Sequence, residues 1–214
     1  HKPSDFTPLM NAIEEKTGIP IALEGVFKWV AFLASKRDAR VPVPNQYFGT
    51  FQDGTLKYRG IELRRRDTTP WVRKIQLKAL EILAGANTPR EFANRVPDVM
   101  NLMEDAKREL RIGRVPLDEL VIRQRLSRTV EAYKTPSPAA HAALQLQAHG
   151  RQFSPGQSLE FVFARNASGV HAWDLNEALD SGKLDTKRYY KLLDRAIQTV
   201  IDPCKPLLVP ERLL

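Results

Sequence analysis

Lys57, Arg59, Arg64, Arg65 and Arg66 place five cations within ten residues, against one acid, Glu62. Cations at this density point to polyanion chemistry, contact with the phosphates of a nucleic acid above all. If the segment is one strand, alternation sets Arg64 and Arg66 on one face and Arg65 on the other. Same-face residues are then about 7 Å apart, the spacing of successive phosphates. The plain alternative is a solvated strand end. A second basic set, Arg123, Arg125, Arg128 and Lys134 against Glu131, has the same two readings. Strand spacing there puts Arg123 and Arg125 on one face. Tyr47 fits either a core position with one wet end or a binding residue.

Other chemistries lack their residues. The four histidines (His1, His141, His149, His171) show no metal-ligand spacing, and His141 and His149 lie more than two helical turns apart. The pairs Glu14-Glu15 and Glu104-Asp105 are adjacent on helices and do not face each other, so they read as surface charge. The chain has no serine-histidine-aspartate order, Walker loop or dinucleotide fingerprint. Neither a catalytic residue nor a metal ligand is assigned.

The elements that must position the arginines follow from turn chemistry and periodicity. Asp53-Gly54 predicts a type I′ hairpin turn. Tyr47, Phe48 and Phe51 lie in the strand before it, and Leu56, Tyr58, Ile61 and Leu63 in the strand after. Gly60 marks a bulge or a close backbone approach. Upstream, residues 7–17 predict a helix capped by Thr7, with Leu9, Ala12 and Ile13 on its apolar face and Gly18 at its end. Residues 20–34 predict two strands broken near Glu24-Gly25, the second buried, and residues 35–44 a basic loop.

Downstream, Thr69-Pro70 starts a helix that Gly85 stops, with Trp71, Ile75, Ala79 and Ile82 inward. Thr88-Pro89-Arg90-Glu91 is a capping-box pattern for a helix that kinks at Pro97 and runs to about Arg111. A short strand over 120–126, a helix over 138–149, a strand over 158–164 with a partner at His171–Trp173, and a helix over 185–201 complete the reading. The fold class is α+β. A boundary near Asp67–Thr69 divides a β-rich part from a mostly helical part with a small β element.

Composition bounds the function class. The 214 residues carry a formal net charge of +8 with 43% hydrophobic content, which suits a soluble globular chain with an anionic partner. The single cysteine, Cys204, excludes an intrachain disulfide and a cysteine-rich zinc site, and fits a reducing compartment. No apolar run approaches the roughly 20 residues that span a bilayer, and no signal peptide stands out. A cytoplasmic location without membrane contact is expected.

The segments together resemble family B DNA polymerases of the archaeal and bacterial kind. Those enzymes carry a lysine-x-tyrosine strand, a short acidic turn, a lysine-glycine-leucine-glutamate motif, then arginines and an aspartate. The matches are Tyr47, Asp53-Gly54, Arg59-Gly60-Ile61-Glu62 and Arg65-Arg66-Asp67. VIRQRLSRTVEAYK (121–134), HGRQFSPGQSLEFVF (149–163) and LDTKRYYKLLDRAIQTVIDP (184–203) are similar to the thumb segments of the family, in the same order. Two positions depart from the pattern. Asn45 stands where the family has lysine, and Pro138 is followed by Ala139, with His141 two residues beyond, where a histidine often follows directly.

The resemblance implies that residues 1–67 are the C-terminal part of the palm and 68–214 the thumb. It implies duplex DNA as partner, bound through Asn45, Tyr47, Arg59, Gly60, Arg64, Arg65, Arg66, Arg123, Arg125, Arg128, Tyr133 and Lys134. Tyr47 would sit at the minor groove near the primer end, and Arg128, Tyr133 and Lys134 on the duplex backbone. The paired-aspartate turn that holds catalytic Mg²⁺ in the family does not occur in the chain. The chain is thus expected to be a piece that needs the rest of a polymerase, with no cofactor and no activity of its own. The alternatives are a standalone nucleic-acid-binding or interaction module related to a thumb, or a hydrolase or transferase with an unrecognised site.

Overall fold

A computed structural model describes residues 1–38, 40–175 and 179–204. It is an α+β structure with two three-stranded antiparallel sheets, and one continuous hydrophobic core runs from Phe48 to Cys204. The first sheet orders β1 (Phe27–Ala34), β2 (Pro42–Phe51) and β3 (Leu56–Arg59) with β2 in the centre. Along β1 half-buried and exposed residues alternate, the mark of a sheet with one face packed. Trp29 and Phe48 from that face meet Phe92 with ring centroids 4.9 and 6.4 Å away, which docks the sheet on the helical part.

Several sequence expectations change here. A single strand, β1, forms within 20–34, and it is half-buried. Residues 19–26 find no partner strand for a ladder, and Gly25 lies so close to Phe51 that a Cβ would meet the ring at 2.7 Å. The loop expected over 35–44 ends earlier, because Pro42 already pairs with Ala34 at the start of β2. The hairpin turn is not type I′. Gly54 has φ +87° while Asp53 stays at negative φ. Gly54 N–H donates to the Phe51 carbonyl, and Phe51 N–H to the Thr55 carbonyl, which is a three-residue loop closed by a left-handed glycine. The Asp53 carboxylate accepts from Thr55 N–H at 2.8 Å and holds this form.

The strand expected to run through Leu63 into the arginines stops at Arg59. Gly60 turns the chain with φ +67°, and a Cβ there would sit 2.2 Å from the Asn45 carbonyl oxygen. A 3-10 turn over Glu62–Arg64 follows, so the alternation expected of Arg64 and Arg66 does not apply. Gly60→Ala is expected to cost about 1–3 kcal/mol for the left-handed backbone and the crowding. Urea unfolding followed by circular dichroism checks it.

The first helix, α1 (Thr7–Thr17), has the expected span and ends at Gly18 with φ +68°. Phe6, after a 3-10 turn, takes the cap position expected of Thr7, and the helix buries none of its residues. α2 (Pro70–Ala84) starts as the sequence indicates, with buried Thr69 accepting from Val72 N–H at 3.2 Å. The next helix is broken rather than kinked. α3 (Pro89–Asn94) and α4 (Val96–Arg111) meet at Arg95, whose guanidinium reaches back to the Ile82 carbonyl, and Pro97 lies in the first turn of α4. The capping box is offset: Thr88 accepts from Glu91 N–H, but the Glu91 carboxylate takes Asn87 N–H instead of Thr88 N–H.

The second sheet orders β4 (Ile122–Arg125), β5 (Ser158–Phe163) and β6 (Val170–Ala172), with α5 (Pro138–Gln147) against β5 and β6. The last helix, α6 (Thr186–Ile201), packs on α2 and α4. Its Tyr189 is fully buried, donates to the Leu120 carbonyl at 3.0 Å and accepts from Phe163 N–H at 2.9 Å. That one phenol ties α6 to the second sheet and to the turn before β4.

Candidate nucleic-acid interface

A groove of about 1010 Å³ opens between the hairpin exit and the second sheet. One wall comes from the segment after the 3-10 turn and the first turn of α2, with Arg66, Asp67 and Arg73. The other is the exposed face of β4 and β5, with Arg123, Arg125 and Glu160. Asp118 and Trp173 join the lining, which in total holds four arginines and three carboxylates. Arg123 faces Glu160 across the strands at 3.9 Å, a solvent-exposed pair of small energetic weight.

The three successive arginines separate. Arg64 is exposed and outside the groove lining. Arg65 makes a two-pronged pair with Asp67 at 3.0 and 2.9 Å, and these hydrogen bonds hold the Asp67 carboxyl below the usual carboxylate range. Arg66 enters the groove. Arg73 donates to the Arg65 carbonyl, which fixes the turn that aims Arg66. Of the sequence candidates, Arg66, Arg123 and Arg125 therefore come together.

The remaining candidates lie outside that lining. Tyr47 is half-buried on the first sheet, its ring 6.3 Å from Phe27 and 5.6 Å from Phe32, with Arg59 as its neighbour on β3. Asn45 is exposed and its carbonyl abuts Gly60. Past β4, the Arg128 guanidinium lies 5.4 Å over the Tyr133 ring, and the Tyr133 hydroxyl accepts from Ser127 N–H at 3.1 Å. That bonding to Ser127 lowers the phenol below its ordinary pKa. Lys134 is exposed.

The family model for DNA polymerase family B matches residues 7–204. This chain belongs to DNA polymerase family B. DNA polymerase 1 of Saccharolobus solfataricus is 24% identical over 184 residues, covering 86% of this chain and 20% of that protein. The DNA polymerase of Archaeoglobus fulgidus is 24% identical over 187 residues, 86% of this chain and 22% of its own length. The family B DNA polymerase from Pyrobaculum calidifontis shares the fold with a TM-score of 0.61 at 21% identity, over 97% of this chain and 24% of that one. This family B chain thus spans about a fifth of the length of these two relatives.

Among the described residues no three histidine, cysteine, aspartate or glutamate side chains come together as a metal site. In the groove Asp67 is held by Arg65 and Glu160 faces Arg123. No helix among the described residues is long and apolar enough to cross a membrane.

Sequence reasoning missed Arg73 and Trp173. Arg73 follows the capping Thr69 by one helical turn, so it points back along the helix toward Arg65 and Arg66, a placement its spacing contains. Trp173 reads in sequence only as the end of a strand. Its place beside the arginines depends on strand pairing.

Proposed function

We propose that this chain is the C-terminal palm and thumb of a DNA-directed DNA polymerase, with residues 1–67 as palm and 68–214 as thumb. It would hold primer–template duplex through the sugar-phosphate backbone. The observation that carries this reading is the groove, where Arg66 from the hairpin exit meets Arg123 and Arg125 from β4. Cations from segments nearly 60 residues apart in sequence face one opening. Arg59, Arg64, Arg128 and Lys134 are exposed but lie outside the lining. Contacts of this kind position a duplex without reading its sequence. The metal-bearing aspartates are proposed to lie outside this chain, whose own part is to bind and orient the duplex.

Affinity for a primer–template duplex is expected to fall steeply with salt. With around 4 to 6 phosphates neutralised, log K falls against log salt with a slope of roughly −4 to −5. Fluorescence anisotropy over a salt series measures it. A flat response, or no binding at low salt, would sink the proposal.

A further inference from the structure

Arg66 reaches the groove on a segment that little holds from within. The residue is exposed, and among the described residues its guanidinium enters no ion pair or side-chain hydrogen bond. Where Arg66 stands therefore depends on its backbone. Behind that backbone a cavity of about 90 Å³ is lined by Arg65, Asp67 and Thr68 of the segment and by Leu192 and Arg195 of α6. Close apolar packing does not fill this gap, so polar links must span it.

Glu62 makes those links. Arg65 N–H donates to the Glu62 carbonyl at 2.9 Å, which puts Glu62 one hydrogen bond from the arginines. One oxygen of its carboxylate accepts from Gln76 Nε2 at 3.1 Å, and the other meets the Arg195 guanidinium at 3.4 Å. Gln76 is fully buried on α2, and the same Nε2 donates to the Ala196 carbonyl of α6 at 2.8 Å. A single carboxylate thus joins the hairpin exit to both helices. The Glu62 side chain is only 13% exposed, and both its oxygens are engaged, which sets it apart from a solvated surface charge. A negative charge four residues before Arg66 also repels phosphate, so its place calls for a reason other than charge.

We propose that Glu62 and Arg195 are positioning residues for Arg66. Their pair ties the hairpin exit to α6 and so holds Arg66 where a phosphate can meet it. The proposal rests on the duplex-binding reading. Arg73 fixes the same segment from α2 through the Arg65 carbonyl, so two helices locate one arginine.

The test measures Glu62→Gln and Arg195→Gln, singly and together, for affinity to a blunt duplex at fixed low salt, each with and without Arg66→Ala. Glu62→Gln keeps the side-chain shape and an oxygen for Gln76 while removing a negative charge. By charge alone it would tighten binding to a polyanion. By position it should weaken binding about two- to fivefold, the range that a partly exposed ion pair can impose. Arg195→Gln should lose about as much, and the two together little more than either, because both break the same pair. In the Arg66→Ala background the loss from Glu62→Gln should vanish. Melting should barely move for Arg195→Gln, whose side chain is mostly exposed, so its loss of affinity is not unfolding. Unchanged or tighter binding by Glu62→Gln overturns this proposal alone, as does unchanged binding by Arg195→Gln or a loss that persists in full without Arg66. If the unaltered chain binds no duplex, the duplex-binding reading falls and this one with it.

Discussion

Replacing Tyr189 by alanine is expected to remove about 3–5 kcal/mol of folding stability, the range for truncating a large buried aromatic. Total stabilities of single domains run about 5–15 kcal/mol, so this variant would be close to unfolding. The reason is placement. Tyr189 is fully buried, packs on Phe163 with centroids 5.4 Å apart, and bonds the backbone of both Phe163 and Leu120. Losing it leaves a cavity between α6 and β5 and two buried backbone groups without partners. Tyr189→Phe keeps the ring and should cost about 1–3 kcal/mol for those unsatisfied groups.

Urea unfolding separates the two variants, and pH adds a second signature. Burial pushes the Tyr189 phenol above its ordinary pKa. The folded state therefore keeps this proton after the unfolded chain has lost it. The contribution is fully present below the unfolded value of about 10 and is lost as pH rises from there through the higher folded value. Tyr189→Phe should show a flatter alkaline fall in stability than the unaltered chain. An identical fall in both would mean that the phenol titrates as if exposed.

Removing Arg66 and Arg125 together is expected to produce the largest loss of duplex affinity of any pair of charges. Both line the groove, from opposite walls. Charge-assisted hydrogen bonds contribute about 1.5 kcal/mol or more each, so Arg66→Ala with Arg125→Ala should weaken binding about ten- to a hundredfold at low salt. The salt slope should shrink by about 0.9 for each phosphate that is no longer neutralised. Arg64→Ala is the internal contrast, because Arg64 lies outside the lining and should change affinity far less. Melting should barely move in any of these, since exposed charges contribute little to folding. If Arg64→Ala matches Arg66→Ala in affinity and slope, the groove does not bind the backbone.

Local chemistry was enough to place most elements. Thr69-Pro70 starts α2 because threonine caps and proline suits the first turn, and Gly18 ends α1 because glycine accepts a left-handed backbone. The motif series around Gly60, Glu62 and Asp67 pointed to the family that the matched residues 7–204 place this chain in. The sequence also singled out Arg66, Arg123 and Arg125 by charge. Charge density survives without knowledge of the fold, and periodicity within one element does too.

What tertiary structure decided was which arginines share an opening. Alternation put Arg64 and Arg66 together only on the premise of a continuous strand, and that premise fails at Gly60, which turns the chain with φ +67° close against the Asn45 carbonyl. The partition of Arg64 outward, Arg65 onto Asp67 and Arg66 into the groove then follows from a 3-10 turn and from the Arg73 guanidinium on the Arg65 carbonyl. Trp173 joins Arg123 only through the pairing of β4, β5 and β6, segments that the sequence separates by a helix and two turns. Local propensity carries no information on such contacts, because they are fixed by the registers in which distant strands bury their apolar faces.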